Sequence, residues 1–136
     1  MSFVEAIDIR RLGPGDGDVI RELAEAEPHT ALLDDPDTIF LVAFDGGQPV
    51  GFTFGYELDR RHGDERMLFV YELDVDEAYR RQGIATRLMQ ELLRLAEADG
   101  ITDAFVLTEP DNLPANGVYE KVGGRATRAV MWEYRS

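Results

Sequence analysis

Alternating apolar and polar residues predict six strands along this chain. Ile7 and Ile9 alternate with polar neighbours in EAIDIRRL, which is typical of a first strand closed by the turn GPGDGD. The runs IFLVAFD and PVGFTFGYEL flank the glycine turn GGQ and predict a β-hairpin. The run MLFVYELDV predicts the central strand, and ITDAFVLTE and ATRAVMWEYR predict the last two strands.

Apolar residues at helical spacing predict the helices between these strands. Val19, Leu23 and Ala26 predict a helix over residues 18–27, followed by a short helical turn or loop. An apolar stripe over residues 84–96 predicts a longer amphipathic helix, and PDNLPANGVYEKVGG predicts a short last one. A helix between the fourth and fifth strands favours a parallel pair there. We therefore expect an α/β (α+β) fold with a mixed central sheet flanked by helices.

The loop between the central strand and the long helix has the sequence RRQGIA. A strand that leads through a glycine-containing loop into a helix N-terminus is suited to bind an anion, because free backbone N–H groups and the helix dipole converge there. A large side chain at Gly83 is expected to block the approach of a ligand. The alternative interpretation is a plain strand-to-helix turn.

Two carboxylates share one face of the central strand. Strict alternation places Glu72 and Asp74 with Val70, and the other face carries apolar and aromatic residues (Phe69, Tyr71, Leu73, Val75). Since a buried carboxylate is costly unless it is paired or functional, these two are candidate site residues. Strand burial is expected to raise the pKa of Glu72.

Composition narrows the classes of protein to consider. The length of 136 residues fits one domain, residues 1–136. The net charge of −13 argues against nucleic acid and suits a cationic partner, although an acidic surface that only keeps the protein soluble is the alternative. No apolar run approaches the roughly 20 residues of a membrane helix, and the N-terminus lacks signal-peptide features, so a cytoplasmic location is expected.

The absence of cysteine excludes disulfides, thiolate metal sites and an acyl-thiol intermediate. His29 and His62 lie in separate loop-like stretches without a partner at ligand spacing. We therefore expect no metal site and no covalent enzyme intermediate on sulfur.

Two motifs resemble those of the GNAT N-acetyltransferase superfamily. LDVDEAYRRQGIA, from Leu73 to Ala85, is similar to its acetyl-CoA motif, and NLPANGVYEKVG, from Asn112 to Gly123, to its second motif. The resemblance implies a twisted mixed sheet whose fourth and fifth strands splay apart around the acetyl-pantetheine arm. The sequence departs from the common pattern at Ala85, in place of the second motif glycine, and at Gly124, where an aromatic residue often follows.

The resemblance implies a cofactor site for acetyl-CoA. Backbone amides from Arg81 to Thr86 would hold its pyrophosphate, and main-chain groups of Leu73 and Val75 would pair with its pantetheine. The complete set of cofactor positions is Leu73, Val75, Arg80, Arg81, Gln82, Gly83, Ile84, Ala85, Thr86, Asn112 and Ala115.

Amine acetylation needs a base for the substrate ammonium and an acid for the departing thiolate. Glu72 is the candidate base, acting directly or through a water. Tyr119, which the resemblance places near the thioester sulfur, is the candidate acid or a hydrogen-bond donor to the sulfur. A structural ion pair with an arginine is the alternative role of Glu72. Core packing is the alternative role of Tyr119.

Within the superfamily, the strand and loop sequences resemble the type I aminoglycoside 3-N-acetyltransferases. That resemblance implies acetyl transfer to the 3-amine of a deoxystreptamine antibiotic by a homodimer. Candidate substrate-binding residues are Glu72, Asp74, Glu109 and Asp111, with a rim of Asp34, Asp35 and Asp37. Acetylation of a polyamine, an amino-sugar or a protein N-terminus, and a non-catalytic acyl-CoA-binding module, are the alternatives.

Overall fold

The computed structural model of the protein describes residues 6–24, 27–62 and 65–136. Within these residues, five strands and three α-helices follow one another in the order β1, α1, β2, β3, β4, α2, β5, α3. Their bounds are β1 Ile7–Leu12, α1 Gly17–Leu23, β2 Thr38–Asp45, β3 Gln48–Asp59, β4 Arg66–Val75, α2 Ile84–Ala98, β5 Asp103–Val106 and α3 Leu113–Lys121. Short 3-10 turns occupy Thr30–Asp34 and Glu77–Tyr79. None of these helices is long and apolar enough to cross a membrane.

The five strands form one mixed sheet in the order β1-β2-β3-β4-β5. Neighbours are antiparallel except β4 and β5, which α2 joins as a parallel pair. That pairing extends only from Met67 to Val70 on β4, whereas β4 itself continues to Val75. The expected mixed sheet is therefore confirmed, and β4 and β5 separate where the cofactor cleft was expected.

Each face of the sheet has its own buried cluster. Leu88 and Leu92 of α2 are fully buried on one face against Leu41, Leu68 and Val70 of the sheet, which follows from the apolar stripe of that helix. The opposite face packs against α1 and the first 3-10 turn, mainly through the aromatic side chains of β2 and β3. Phe40 and Phe54 stack there with ring centroids 5.0 Å apart.

A β-bulge at Tyr71 divides β4 into two stretches. Phe54 pairs with Glu72 and Gly55 with Val70, so Tyr71 is an extra residue relative to β3. Leu68 and Val70 consequently share the α2 face with Leu73, Val75 and the rest of that cluster. The strict alternation expected for this strand was wrong, because one inserted residue reverses which face the following side chains take.

The amino end of β4 is held by a cluster of ion pairs. Arg66 lies within 3.0 Å of carboxylate oxygens of Asp37, Glu57 and Asp59. Glu57 is buried, and its Oε1 has no hydrogen-bond partner among the described residues. Burial, followed by the neighbouring Asp99, raises the pKa of Glu57 to about 7.

Two sequence-based element assignments need correction. The helix predicted over 18–27 ends at Leu23, where Ala24 turns to an extended conformation, and positions 25 and 26 lie outside the described residues. The last strand, predicted from ATRAVMWEYR, was wrong, since residues 125–136 form no strand. Extended backbone becomes a strand only beside another strand, and no described strand of this chain lies next to them.

Candidate active site

The N-terminus of α2 presents free backbone amides at the carboxyl end of β4. Gly83, at the helix N-cap, has φ 81°, and no side chain caps the helix or places an acid in its first turn. The first intrahelical bond runs from the Arg87 amide to the Gly83 carbonyl, so the amides of the preceding turn lack intrahelical partners. Arg81 also has positive φ, 64°. Successive amides in this conformation form a concave site for an anion.

Space around Gly83 is open. A Cβ built on Gly83 meets no protein atom within 4 Å, so the protein's own packing does not demand glycine there. The positive φ favours glycine, and a larger side chain would occupy the volume in front of the free amides. Glycine at this position is therefore explained by its backbone conformation and by access to the free amides, and not by protein packing.

Side chains before the loop tie it to the sheet. The Arg80 Nε donates to the Val75 carbonyl at 2.9 Å, and its Nη2 lies 3.5 Å from Asp74 Oδ1. The Tyr79 hydroxyl donates to Asp45 Oδ2 at 2.5 Å. The expected motif residue Arg80 therefore lies against the end of β4. Tyr79 and Asp45 are 34 positions apart, and no sequence pattern indicated their contact.

The β5 side of β4 has no strand neighbour beyond Val70 in the part of the chain that the structure describes. Leu73 is half-buried and Val75 buried, so their side chains anchor this stretch in the core. The buried hydroxyl of Thr53 donates to the Glu72 carbonyl at 2.8 Å from the β3 side. This hydrogen bond fastens β4 to β3, and the sequence analysis did not select Thr53.

Glu72 and Asp74 lie side by side on the face of β4 that is opposite to α2. Glu72 faces Phe54 and Asp74 faces Phe52 across the β3–β4 pair. Both carboxylates are exposed, so the expectation that Glu72 is buried in the strand was wrong. The bulge explains the exposure, because it turns these side chains away from the α2 core.

Two tyrosines that the sequence analysis did not select lie close to these carboxylates. Tyr56 and Tyr71 meet edge to face with ring centroids 5.8 Å apart. Burial raises the pKa of Tyr56, and Tyr71, Asp35 and Glu72 add to this effect. Asp35, a predicted rim residue, and Glu72 thus both raise the pKa of Tyr56.

A cleft of about 320 Å³ opens between α1 and the ends of β3 and β4. We call it the acidic cleft, because Glu22, Asp74 and Asp76 line it and no Lys or Arg does. The other candidate acids lie elsewhere. Asp34 lines a separate cavity beside Arg21, Asp37 pairs with Arg66, and Glu109 and Asp111 are exposed after β5.

The second motif forms α3. Asn112 caps this helix by accepting a hydrogen bond from the Ala115 amide at 3.2 Å, so both predicted cofactor residues have a structural role. Asn116, which the sequence analysis did not select, donates to the Glu109 carbonyl at 3.0 Å and fastens the preceding loop.

Tyr119 is half-buried against the core of α2, and burial raises the pKa of its hydroxyl. A Cβ on Gly124 would lie 2.8 Å from the Tyr119 carbonyl oxygen, which also accepts from the Gly124 amide. The departure from the family pattern at Gly124 therefore has a steric reason.

The acetyltransferase (GNAT) family matches residues 8–124, and the chain belongs to this family. The resemblance found in the sequence is confirmed at this level. The family uses acetyl-CoA, which confirms the expected cofactor. Among curated relatives, human N-acetyltransferase 8 is 30% identical over 97 residues, which are 71% of this chain and 43% of the relative. Mycothiol acetyltransferase of Corynebacterium glutamicum is 33% identical over 65% of this chain and 28% of its own. The chain thus spans less than half the length of these relatives.

Solved structures extend the similarity over nearly the whole chain. An aminoglycoside acetyltransferase from an uncultured soil metagenomic sample, HMB0005, is 27% identical with a TM-score of 0.82, covering 96% of this chain and 99% of its own. A second one, solved with sisomicin, has a TM-score of 0.88 at 20% identity and covers 99% of both chains. AAC(6')-Iy, solved with a bisubstrate analogue of CoA and acetylneamine, has a TM-score of 0.78 at 20% identity and covers 96% and 98%. The last two likenesses show the fold alone.

Proposed function

We propose that the protein transfers the acetyl group of acetyl-CoA directly to a primary amine of an aminoglycoside. The observation that carries this proposal is the juxtaposition of an uncapped helix N-terminus, suited to the CoA pyrophosphate, with the acidic cleft, suited to a polycation. Both features meet at the carboxyl end of β4. The 3-amine of the deoxystreptamine ring is the predicted position.

The donor lies along β4 and the N-terminus of α2. Amides from Arg81 to Thr86 hold the pyrophosphate, and the β4 backbone at Leu73 and Val75 pairs with the pantetheine arm where β5 has separated. The missing strand neighbour on this side of β4 supports that pairing, because an edge backbone readily binds an extended ligand. Arg80 already occupies one lone pair of the Val75 carbonyl and leaves the other available.

The reaction uses one carboxylate and one phenol. Glu72, directly or through a water, takes a proton from the substrate ammonium, and the freed amine attacks the thioester carbonyl. A carbon–nitrogen bond forms, the carbon–sulfur bond breaks, and the attacking nitrogen releases its second proton to water to give the neutral amide, while water returns a proton to Tyr119 after the transfer. The Tyr119 hydroxyl donates a proton to the departing CoA thiolate. Burial raises the pKa of this hydroxyl, so it stays protonated at neutral pH and donates a hydrogen bond to the sulfur as negative charge develops there.

The acceptor occupies the acid-lined face beyond Glu72. Asp74 and Asp76 pair with its ammonium groups in the acidic cleft, with Asp35 at the rim. Tyr56 and Tyr71 add aromatic surface on which a cationic sugar ring packs, since ammonium groups are attracted to aromatic faces. The likeness to HMB0005 supports an aminoglycoside over other amines.

The test is thiol release from acetyl-CoA with gentamicin, sisomicin, spermidine, basic peptides and an amino-sugar. Because the chain has no cysteine, a thiol reagent reads only released CoA. Mono-acetylation confined to aminoglycosides supports the proposal, and NMR of the product separates the 3-amine from the 6'-amine. Transfer only to polyamines or peptides would show that the acceptor is not an aminoglycoside. Tight CoA binding without any acetyl transfer would favour the alternative that the protein is a non-catalytic acyl-CoA-binding module.

The proposed enzyme is a homodimer. This part of the proposal comes from the resemblance to the 3-N-acetyltransferases.

A further inference from the structure

A row of small residues on β3 lies against the backbone of β4 beside the bulge. Gly51, Thr53 and Gly55 share the α2 face of β3, because the aromatic side chains that alternate with them pack on the opposite face. A Cβ built on Gly55 would lie 2.8 Å from the Phe69 carbonyl oxygen, and one on Gly51 would lie 3.2 Å from that of Asp74. The backbone of β4 thus approaches this row closely, and position 55 has no room for a side chain.

Thr53, in the middle of the row, is the member with a polar side chain. It is 0% exposed, and its hydroxyl donates to the Glu72 carbonyl at 2.8 Å. Glu72 is the first residue after the bulge at Tyr71, where the extra residue interrupts the regular pairing with β3. Thr38 of β2 is also a buried strand threonine, but its hydroxyl has no hydrogen-bond partner among the described residues. The Thr53 bond is therefore not a general result of burying threonine in this sheet.

This bond fixes the peptide between Glu72 and Leu73. A trans peptide is planar, so its C=O and N–H point in opposite directions. Because the Glu72 carbonyl is turned towards β3, the Leu73 N–H is turned towards the side of β4 that has no described strand neighbour beyond Val70. The Cα of Glu72 lies in the same peptide plane, so the hold on the carbonyl also limits the directions that the Glu72 side chain can take.

We propose that Thr53 is a positioning residue for Glu72, acting through the hydrogen bond to its carbonyl. Thr53 itself does not touch a substrate, because it is buried on the α2 face whereas the carboxylate of Glu72 is exposed on the opposite face. Its β-branched side chain has restricted rotation, which keeps the hydroxyl aimed at the carbonyl. The inference rests on the proposed function, in which Glu72 takes the proton of the acceptor ammonium.

The first experiment separates turnover from cofactor binding. Thr53→Val keeps the shape but lacks the hydroxyl, and it should lower kcat by about 5–50-fold, because a small misplacement of a reacting group is costly. CoA affinity in calorimetry should change by less than about threefold, since the loop amides that hold the pyrophosphate are untouched. Thr53→Ser keeps the hydroxyl and should recover most of the activity. Thr38→Val is the matched control and should leave kcat unchanged.

Thiol release gives kcat at saturating acetyl-CoA, with whichever amine of the acceptor panel reacts fastest. Circular dichroism checks folding, and Thr53→Ala, which also lacks the hydroxyl, takes the place of a valine variant that does not fold. Equal kcat in Thr53→Val and wild type would overturn the proposal. A loss in Thr53→Ser as large as that in Thr53→Val would overturn it too, because the hydroxyl would then not be the cause.

A double variant tests whether Thr53 acts through Glu72. In the Glu72→Gln background, adding Thr53→Val should lower kcat by less than about twofold, because the base that Thr53 positions is already absent. Losses that multiply in the double variant would contradict the proposal. Normal turnover of the single Glu72→Gln variant would reject the proposed base itself, and this failure is recognised without any Thr53 variant.

An NMR measurement without any substrate tests the hydrogen bond itself. The amide signals of Leu73 report on the Glu72 carbonyl, because both groups belong to one peptide. They should shift in Thr53→Val and return close to their wild-type positions in Thr53→Ser, whereas Thr38→Val should leave them unchanged. Leu73 signals that are the same in wild type and Thr53→Val would overturn the proposal, even if no amine of the acceptor panel reacts.

Discussion

Acidic side chains lie at both ends of β4, but the two ends differ in burial and in ion pairing. At the amino end, Arg66 is surrounded by three carboxylates of neighbouring strands and loops, and Glu57 is buried beside it. At the carboxyl end, Glu72 and Asp74 are exposed, and the amides that begin α2 have no intrahelical partners. The contrast indicates that the first end stabilises the fold, whereas the second exposes its carboxylates and helix-terminal amides at the surface, with Asp74 3.5 Å from Arg80.

The largest effect is expected from Glu72→Gln at the carboxyl end. It should lower kcat by about 10²–10⁴-fold, because the amide cannot take the proton of the acceptor ammonium. Steady-state kinetics with saturating aminoglycoside and calorimetry with CoA make the measurement, and CoA affinity should stay unchanged. Glu57→Gln, at the other end of the strand system, is the control and should keep full activity. Normal turnover of the Glu72 variant would reject it as the base.

Gly83→Val should raise the KM for acetyl-CoA by roughly 30–100-fold, because the side chain fills the volume before the free amides and strains the left-handed backbone. Gly47→Val is a matched control, since Gly47 also has positive φ, 95°, and open space around it, but lies in the β2–β3 turn. Both variants should lose similar stability in thermal unfolding. Equal KM effects in the two variants would mean that Gly83 acts only through the fold.

Arg66→Met should lower the free energy of unfolding by about 2–3 kcal/mol, because it leaves Glu57 buried without its cation. Arg94→Met removes an exposed helix ion pair with Glu91 and should cost less than about 0.5 kcal/mol. Urea unfolding gives both values, and the KM for acetyl-CoA should be unchanged in both. A large increase in the KM for acetyl-CoA in the Arg66 variant would show that the amino end of β4 does not serve stability alone.

Stability should fall as pH rises through the range set by Glu57. Its folded pKa of about 7 lies above the ordinary value of 4.5, so the folded state holds a proton that the unfolded state has released between these values. The stabilisation is fully present below pH 4.5 and is lost as pH passes 7, with an amplitude of about 1–3 kcal/mol. Comparing urea unfolding of Glu57→Gln with wild type at pH 5 and pH 8 isolates this contribution. Parallel pH profiles would show that Glu57 is not its source.

The smallest effect is that of salt. Raising NaCl from roughly 0.05 to 0.5 M should increase the KM for an aminoglycoside by about 3–10-fold, since screening weakens its attraction to the acidic cleft. The KM for acetyl-CoA should change less, because close backbone contacts hold it. Asp76→Asn should reduce the salt response of the aminoglycoside. Identical responses for both substrates would mean that the acidic surface does not recognise the acceptor.

Local patterns predicted the strand, loop and helix of the proposed cofactor site, because alternation, a glycine in the loop and an apolar stripe are all encoded within a few residues. Contacts between distant residues were not predictable in this way. Tyr79 meets Asp45, and Arg66 meets Asp37, only because the sheet brings their strands together. The missing last strand has another cause, since its sequence favours extended backbone but none of the described strands pairs with it.

The bulge at Tyr71 changes which side chains of β4 face the core. Before it, even-numbered side chains such as Leu68 and Val70 enter the core, and after it odd-numbered ones such as Leu73 do. One extra residue thus lets a single continuous strand contribute core side chains on both sides of the bulge while its two carboxylates stay on the opposite face. If the same residues alternated strictly with no bulge, Glu72 and Asp74 would enter the apolar interior, so the inserted residue is what keeps both carboxylates at the surface.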